Sequence, residues 1–200
     1  MERQLRLTGG SLIAGVDEVG RGPLAGPVVA CAVIMPPDRR AIPGVNDSKQ
    51  LLARERERLA IKILRSALAF RLGAASVREI DELNIYKATA LAMRRALRRL
   101  ALAPHHVLVD GRPIRILGLP HTAVVGGDAR CYSVACASIV AKVTRDRLMR
   151  NLAKRHPQYH WEQNVGYATP AHLAALWANG SSPHHRRSFL PHRQMEILLD

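Results

Sequence analysis

Residues 13–30, which run Ile-Ala-Gly-Val-Asp-Glu-Val-Gly-Arg-Gly-Pro-Leu-Ala-Gly-Pro-Val-Val-Ala, constrain the fold more than any other stretch of this chain of 200 residues. A short apolar run ends in two adjacent carboxylates, Asp17 and Glu18. A turn then holds Arg21 between Gly20 and Gly22, and a second apolar run begins after Pro27. The pattern predicts two antiparallel strands joined by a glycine-rich turn. Neighbouring strand residues point to opposite faces, so the two acids can share one site only if the chain bends at or just after them. Gly20 and Gly22 permit that bend and leave the backbone bare enough for a phosphate or a sugar to approach, with Arg21 as a charge-assisted donor. A polar hairpin turn would account for a lone Gly-Arg-Gly. It does not account for two acids at the end of an apolar strand.

The second strand spans about Gly26 to Met35 and stops at Pro36-Pro37. Asp47 or Ser48 is placed to cap a helix from about Leu51 into the 60s, with Arg54 to Arg58 on a solvated face. Leu68 to Ala75 reads as a third strand, and a helix follows from about Asn84 to Leu102, ended by Pro104. Arg94, Arg95, Arg98 and Arg99 crowd the exposed side of that helix. His106 to Asp110 is the nearly continuous apolar run expected of a central strand, and His121 to Val125 repeats it. A long helix from about Cys131 to Ala153 begins with small residues that allow close packing on a sheet. The order strand, strand, helix, strand, helix, strand, strand, helix predicts a mixed α/β layer fold. Residues 1–155 read as its core. Residues 156–200 read as a C-terminal extension packed beside it within a single domain.

Composition narrows the class of partner. Hydrophobic residues make up 48% of the chain and aromatics only 4%, so one aliphatic core is expected. A formal net charge of +14 is high for an enzyme of small metabolites and points to a polyanion. Cys31, Cys131 and Cys136 lack metal-ligand or redox spacing and are expected as buried thiols of a cytoplasmic protein. No stretch is long and apolar enough to span a bilayer, so no membrane role is expected. His184, His185 and His192 are read as part of a solvated polar tail.

Asp17, Glu18, Asp110 and Asp128 share a setting, each at the end of an apolar run and close to glycine. Sheet ends gather residues from distant parts of a chain. Four carboxylates gathered in that way repel unless cations balance them, and an oxygen-only set suits Mg²⁺ or Mn²⁺ rather than zinc. The matching chemistry is two-metal phosphodiester hydrolysis. Taken singly, each acid is equally well read as an exposed strand-end residue, or, for Asp128, as a helix cap. Asp146, on the long helix, is read as the ion-pair partner of a neighbouring arginine.

The run from Asp17 to Val29 resembles the N-terminal signature of ribonuclease HII, the bacterial type 2 RNase H family. Further matches follow in order: Asp47-Ser48-Lys49, Val109-Asp110-Gly111, Gly127-Asp128-Ala129, Ala137 to Asp146, Gly166-Tyr167-Ala168-Thr169 with His172, and Arg186 to Phe189. The resemblance implies an RNase H-like mixed sheet flanked by helices, with a helical C-terminal extension. It implies that Asp17, Glu18, Asp110 and Asp128 are the catalytic metal ligands for two Mn²⁺ or Mg²⁺ ions. It implies that Gly20, Arg21 and Gly22 sense the ribose 2′-hydroxyl and that Tyr167 contacts it while stacking on the next sugar. Lys49, Ser138, Lys142, Thr144, Arg145 and Arg187 are expected phosphate contacts. The substrates implied are RNA–DNA hybrids and duplex DNA holding single ribonucleotides, cut on the 5′ side of the ribonucleotide by a monomeric enzyme. A non-catalytic duplex-binding protein and an RNase H-like nuclease indifferent to the 2′-hydroxyl are the rival readings. Family members commonly carry lysines where this chain has Gly126 and Val165, which bears on phosphate contacts rather than on the chemistry.

Overall fold

The structure is a computed structural model that describes residues 1–190. It opens with α1 (Glu2–Gly9), a helix not expected from the sequence pattern, and β1 (Ile13–Val19) and β2 (Val28–Ile34) follow. Then come α2 (Ala53–Ser66), β3 (Ala69–Ala75), α3 (Val77–Leu83), α4 (Ile85–Arg98), β4 (His106–Asp110) and β5 (Thr122–Val124). The chain continues through α5 (Gly127–Arg130), α6 (Tyr132–Ala153), α7 (Trp161–Asn164) and α8 (Pro170–Asn179).

One five-stranded sheet carries the strands in the order β3-β2-β1-β4-β5. β1 pairs antiparallel with β2 and parallel with β4, and β5 lies parallel to β4 at the edge. β2 is buried along its whole length and shows how the layers form. Its alternate residues Val28, Ala30, Ala32 and Ile34 join Met93 and Ala96 of α4 in one core. Cys31 and Val33 join Leu59 and Ile63 of α2 and Ile139 and Val140 of α6 in the other. Helices therefore cover both faces of a mixed sheet, as expected. A methyl group on Gly15 would lie 2.1 Å from the Ser133 backbone, so α6 rests directly on β1. Small residues on both elements permit that approach.

Two helices and one side chain differ from the sequence reading. α2 starts at Ala53 behind Leu52, without a side-chain cap. Ser48 is instead buried against Ser138, and Asp47 Oδ1 accepts the Lys49 N–H. The helix expected from about Asn84 to Leu102 is present as α4, begun by Asn84 accepting the Lys87 N–H and ending at Arg98, and a separate short helix, α3, precedes it where Ser76 and Glu79 form a reciprocal capping box. Arg95 is also not a free surface charge, since it pairs bidentately with Glu79 at 2.6 and 2.9 Å.

The extension is seated on the core by its own apolar cluster. Tyr159, Trp161, Leu176 and Leu190 pack with Leu24, Ala25, Met149 and Leu152. Its histidines are not a solvated tail: His185 is buried among Tyr159, Trp161 and His172. His184 packs on His156 and Trp161, while His192 lies outside the described residues. All three cysteines are free and buried.

Candidate active site

β1, β4 and β5 run in the same direction, so their carboxyl ends meet at one end of the sheet. Val16 is the last β1 residue in register with β4, opposite Val109, which leaves Asp17 and Asp110 as the next residues on adjacent strands. Val16 and Val109 face the α4 side, so the alternation directs Asp17 and Asp110 to the α6 side. Glu18 points to the opposite face. The bend comes just after the acids, at the glycine expected to permit it: the β1–β2 ladder runs unbroken through Val19 opposite Val29 and the chain turns at Gly20. β5 ends at Val124, and a left-handed Gly126 starts α5, which carries Asp128. Asp128 is inside that helix and does not cap it.

Each acid is oriented by a neighbour. Asp17 is 6% exposed, accepts the Glu18 N–H at 2.8 Å and is hydrogen-bonded to Ser138. Asp110 Oδ1 accepts the Gly127 N–H at 2.6 Å, which ties the end of β4 to the start of α5. Glu18 accepts from Arg21 at 3.3 Å, and Lys49 Nζ stands 3.8 Å from Asp128. Burial, then the Glu18 and Asp110 charges, push Asp17 well above the usual carboxylate range. Burial and Asp110 also raise Glu18, although Arg21 opposes them. Burial, Asp110 and Asp47 raise Asp128. Burial alone would lower the Lys49 ammonium, but the charges of Asp128, Asp47, Asp17 and Asp110 hold it above its ordinary value. The four expected acids thus form one interacting set, which Asp47 joins. Among the described residues no three of their side chains are drawn together tightly enough to form a ready-made ion cage. The donor chemistry is all carboxylate oxygen, the set that hard divalent cations take and zinc sites rarely use.

The Gly20–Gly22 turn is held from behind by two arginines buried to 0% exposure. Arg186 donates to the carbonyls of Gly20 at 2.5 Å, Arg21 at 2.9 Å and Gly26 at 2.9 and 2.8 Å. Arg145 donates to the carbonyls of Pro27, Val165 and Ala25 at 3.0, 2.9 and 3.0 Å. Burial pushes both guanidiniums down, to about 10 for Arg145 and about 9 for Arg186, still far above neutral pH. With these carbonyls occupied, the backbone N–H groups of Arg21 and Gly22 have no protein acceptor among the described residues. Gly20 sits at φ +91°, and a methyl group there would lie 2.1 Å from Arg145 Nε, so the turn and the buried cation require glycine at this position. Tyr167 is 42% exposed, and a methyl group on Gly22 would lie 3.9 Å from its ring. The ring therefore stands beside the turn.

The expected phosphate contacts divide. Lys49 and Ser138 belong to the acid cluster. Arg145 does not fit the expectation: its guanidinium is enclosed and fully engaged by carbonyls, and it shapes the turn from within. Lys142 is paired with Asp146 at 2.9 Å, so the partner of Asp146 is a lysine and not an arginine. Thr144 bonds the Val140 carbonyl, and Arg187 lies beside Asp81 with its backbone N–H bound to that carboxylate. No described contact joins Lys142, Thr144 or Arg187 to the acids. The sequence reading quotes Arg186 within a matched motif but gives it no role, whereas the structure makes it the clamp of the turn. Arg186 stands in an Arg-Arg pair and His185 in a His-His pair, a local setting that gives no signal of burial.

Comparison with known proteins agrees with this geometry. The family model for ribonuclease HII matches residues 14–191. A ribonuclease HII of Thermosynechococcus vestitus is 56% identical over 183 residues, covering 91% of this chain and 85% of that protein. The crystal structure of the ribonuclease H2 from Pyrococcus horikoshii OT3 superposes with a TM-score of 0.80 at 29% identity, over 94% of this chain and 98% of that one. Bst-RNase HIII in complex with Mn²⁺ shares the fold with a TM-score of 0.72 at 20% identity, over 98% of this chain and 72% of that one. A sheet end that gathers four acids beside a clamped Gly-Arg-Gly turn, matched along almost the whole sequence, places this chain in the ribonuclease HII family.

Proposed function

We propose that the protein is a divalent-metal-dependent endoribonuclease that hydrolyses the phosphodiester on the 5′ side of a ribonucleotide in a duplex, leaving 3′-hydroxyl and 5′-phosphate ends. Its substrates are RNA–DNA hybrids and DNA holding single ribonucleotides. The observation that carries the reading is the meeting of Asp17, Glu18, Asp110 and Asp128 at one sheet end, beside a turn bare enough to approach a sugar. These four residues would hold the cations, Mn²⁺ or Mg²⁺. When bound, the ions make a water acidic enough to attack at neutral pH and balance charge on the leaving oxygen.

The protein's own groups set the stage. Ser138 and the Gly127 N–H fix the Asp17 and Asp110 carboxylates, so that these oxygens need little reorganisation. Lys49 places a cation at the edge of the cluster, where a scissile phosphate would sit. The Arg21 and Gly22 N–H groups are donors available to a ribose 2′-hydroxyl, the group that separates RNA from DNA. Tyr167 beside them offers a ring to the sugar. Lys142, Thr144 and Arg187 would meet phosphates farther along the duplex. The chain acts as a monomer in the cytoplasm, with residues 156–200 as an extension of the catalytic core at 1–155.

The test uses a duplex with one ribonucleotide and its all-DNA counterpart, each with Mn²⁺, Mg²⁺ or a chelator. Cleavage 5′ to the ribonucleotide, metal-dependent and absent on all-DNA, is expected. Equal cleavage of both duplexes would mean a nuclease blind to the 2′-hydroxyl, and binding without cleavage would mean a duplex-binding protein. Either result overturns the proposal.

A further inference from the structure

Behind the turn that carries Tyr167 lies a pair of imidazoles that the reaction above does not use. His172 and His185 are 0% and 2% exposed, and their Nε2 atoms stand 3.0 Å apart. Three surrounding groups have a fixed polarity. The Ser182 backbone N–H can only donate, and it reaches His185 Nδ1 at 2.9 Å. The Trp161 indole N–H can only donate, and it reaches His172 Nε2 at 3.1 Å. The Tyr167 carbonyl can only accept, and it lies 2.8 Å from His172 Nδ1.

These boundary conditions assign both tautomers. His185 Nδ1 and His172 Nε2 must present lone pairs. His185 is then protonated on Nε2 and donates to His172, and His172 is protonated on Nδ1 and donates to the Tyr167 carbonyl. All the bonds run one way, from Ser182 through both rings to Tyr167. The same carbonyl accepts the Thr169 N–H at 2.8 Å, and the Tyr167 N–H is held by the Asn164 carbonyl at 2.9 Å. The Tyr167 backbone is therefore pinned from both sides, with its ring left exposed beside Gly22.

We propose that His185 and His172 form a directional hydrogen-bond relay that fixes the Tyr167 backbone, and so its ring, against Gly22, which makes both imidazoles positioning residues for ribose recognition. The proposal rests on the reading of Tyr167 as the group that meets the sugar. The titratable groups facing the pair are His156, His160, His184 and Tyr159, and no carboxylate is among them. An imidazolium at 172 would set an N–H against the Trp161 and His185 N–H groups, so the relay works only with both rings neutral. Burial, then the neighbouring His172, pushes His185 down to about 3, and burial holds His172 below its ordinary 6.5.

Nitrogen-15 correlation spectra of the imidazoles in the full chain near neutral pH test the relay directly. The expected result is Nε2–H at His185 and Nδ1–H at His172, and the reverse tautomer at either ring overturns it. Kinetics on the one-ribonucleotide duplex supply the second arm. His172→Ala is expected to raise KM about tenfold, the cost of roughly one hydrogen bond, with kcat little changed. His172→Asn keeps a donor for the Tyr167 carbonyl and is expected to recover most of that loss. Should His172→Ala fail to fold, the spectra and the KM of His172→Asn against His185→Leu decide, with the relay requiring the lower KM in His172→Asn. An unchanged KM in Tyr167→Ala removes the underlying reading. A raised KM in Tyr167→Ala beside an unchanged KM in a folded His172→Ala removes the relay alone.

Discussion

Replacing Arg186 by Met tests the idea that buried cations hold the sugar-facing turn in shape. The side chain is fully enclosed and donates to three backbone carbonyls, those of Gly20, Arg21 and Gly26. Methionine has comparable length and no donor. Each buried carbonyl left without a partner costs about 1–3 kcal/mol, so three cost about 3–9 kcal/mol. Part of this returns, because the variant no longer buries a guanidinium whose desolvation costs several kcal/mol. A net loss of about 2–4 kcal/mol remains, which at about 2–4 °C per kcal/mol for a domain of this size lowers Tm by about 4–16 °C. Urea unfolding followed by circular dichroism measures the loss. Arg150→Met serves as the control, because Arg150 pairs with Glu57 at 3.0 Å with both side chains about 40% exposed (42% and 40%), and such pairs contribute no more than about 1 kcal/mol. Below the unfolding transition, Arg186→Met should also expose the Gly26 amide, which donates to the His184 carbonyl, to faster hydrogen exchange. If Arg186→Met and Arg150→Met unfold at the same urea concentration, the three carbonyls do not depend on the guanidinium and the clamp is refuted.

Two further outcomes are expected. Asp110→Asn keeps an oxygen to accept the Gly127 N–H but removes a charge from the acid set. It should cut metal-dependent cleavage by about 10²-fold or more, since removing even a residue that merely supports a metal ligand costs about 10–100-fold, and a wild-type rate in that variant would remove Asp110 from the ligand set. Glu79→Gln tests an acid-range stability contribution. The Arg95 guanidinium holds the Glu79 carboxyl down to about 2, against an ordinary 4.5. A carboxylate depressed in the folded state stabilises above pH 4.5, and that stabilisation is lost as pH falls from 4.5 towards 2. Solvent screening limits it to about 1 kcal/mol. The glutamine variant keeps the capping-box geometry of α3. It should lose this slope in unfolding free energy against pH, and an identical slope in both proteins would count against the pair.

The order and class of most elements were legible in the chain because they follow from local patterns. The nearly unbroken apolar runs of β1 and β2, the apolar run before Asp110 and the small residues that open α6 each express a requirement of the segment itself. Boundaries set by side-chain caps were legible only in part. Ser76 and Glu79 stand at capping-box spacing and start α3, a helix too short for an apolar period to mark. Asp47 and Ser48 look like helix caps but are drawn into the acid cluster. Arg145 shows the limit most clearly. Its neighbours Lys142 and Asp146 suggest a solvated helix face, whereas its own position faces the 20s turn from the far side of α6 and leaves it no water.

What the sequence determined alone was which chemical groups exist and which apolar runs they follow: four acids after apolar runs and close to glycine, a glycine turn around Arg21, and an aliphatic sheet protein with excess positive charge. Only the tertiary structure decided which of those groups face one another. Strand order places Asp17 beside Asp110. The seating of the extension turns Arg186, His172 and His185 inward and sets Tyr167 beside Gly22. The physical reason is that burial and hydrogen-bond partnership depend on residues far apart in the chain, and a polar side chain shows its role only when its partners, 118 to 166 positions away for the two buried arginines and the strand-and-turn carbonyls they hold, have been brought into contact.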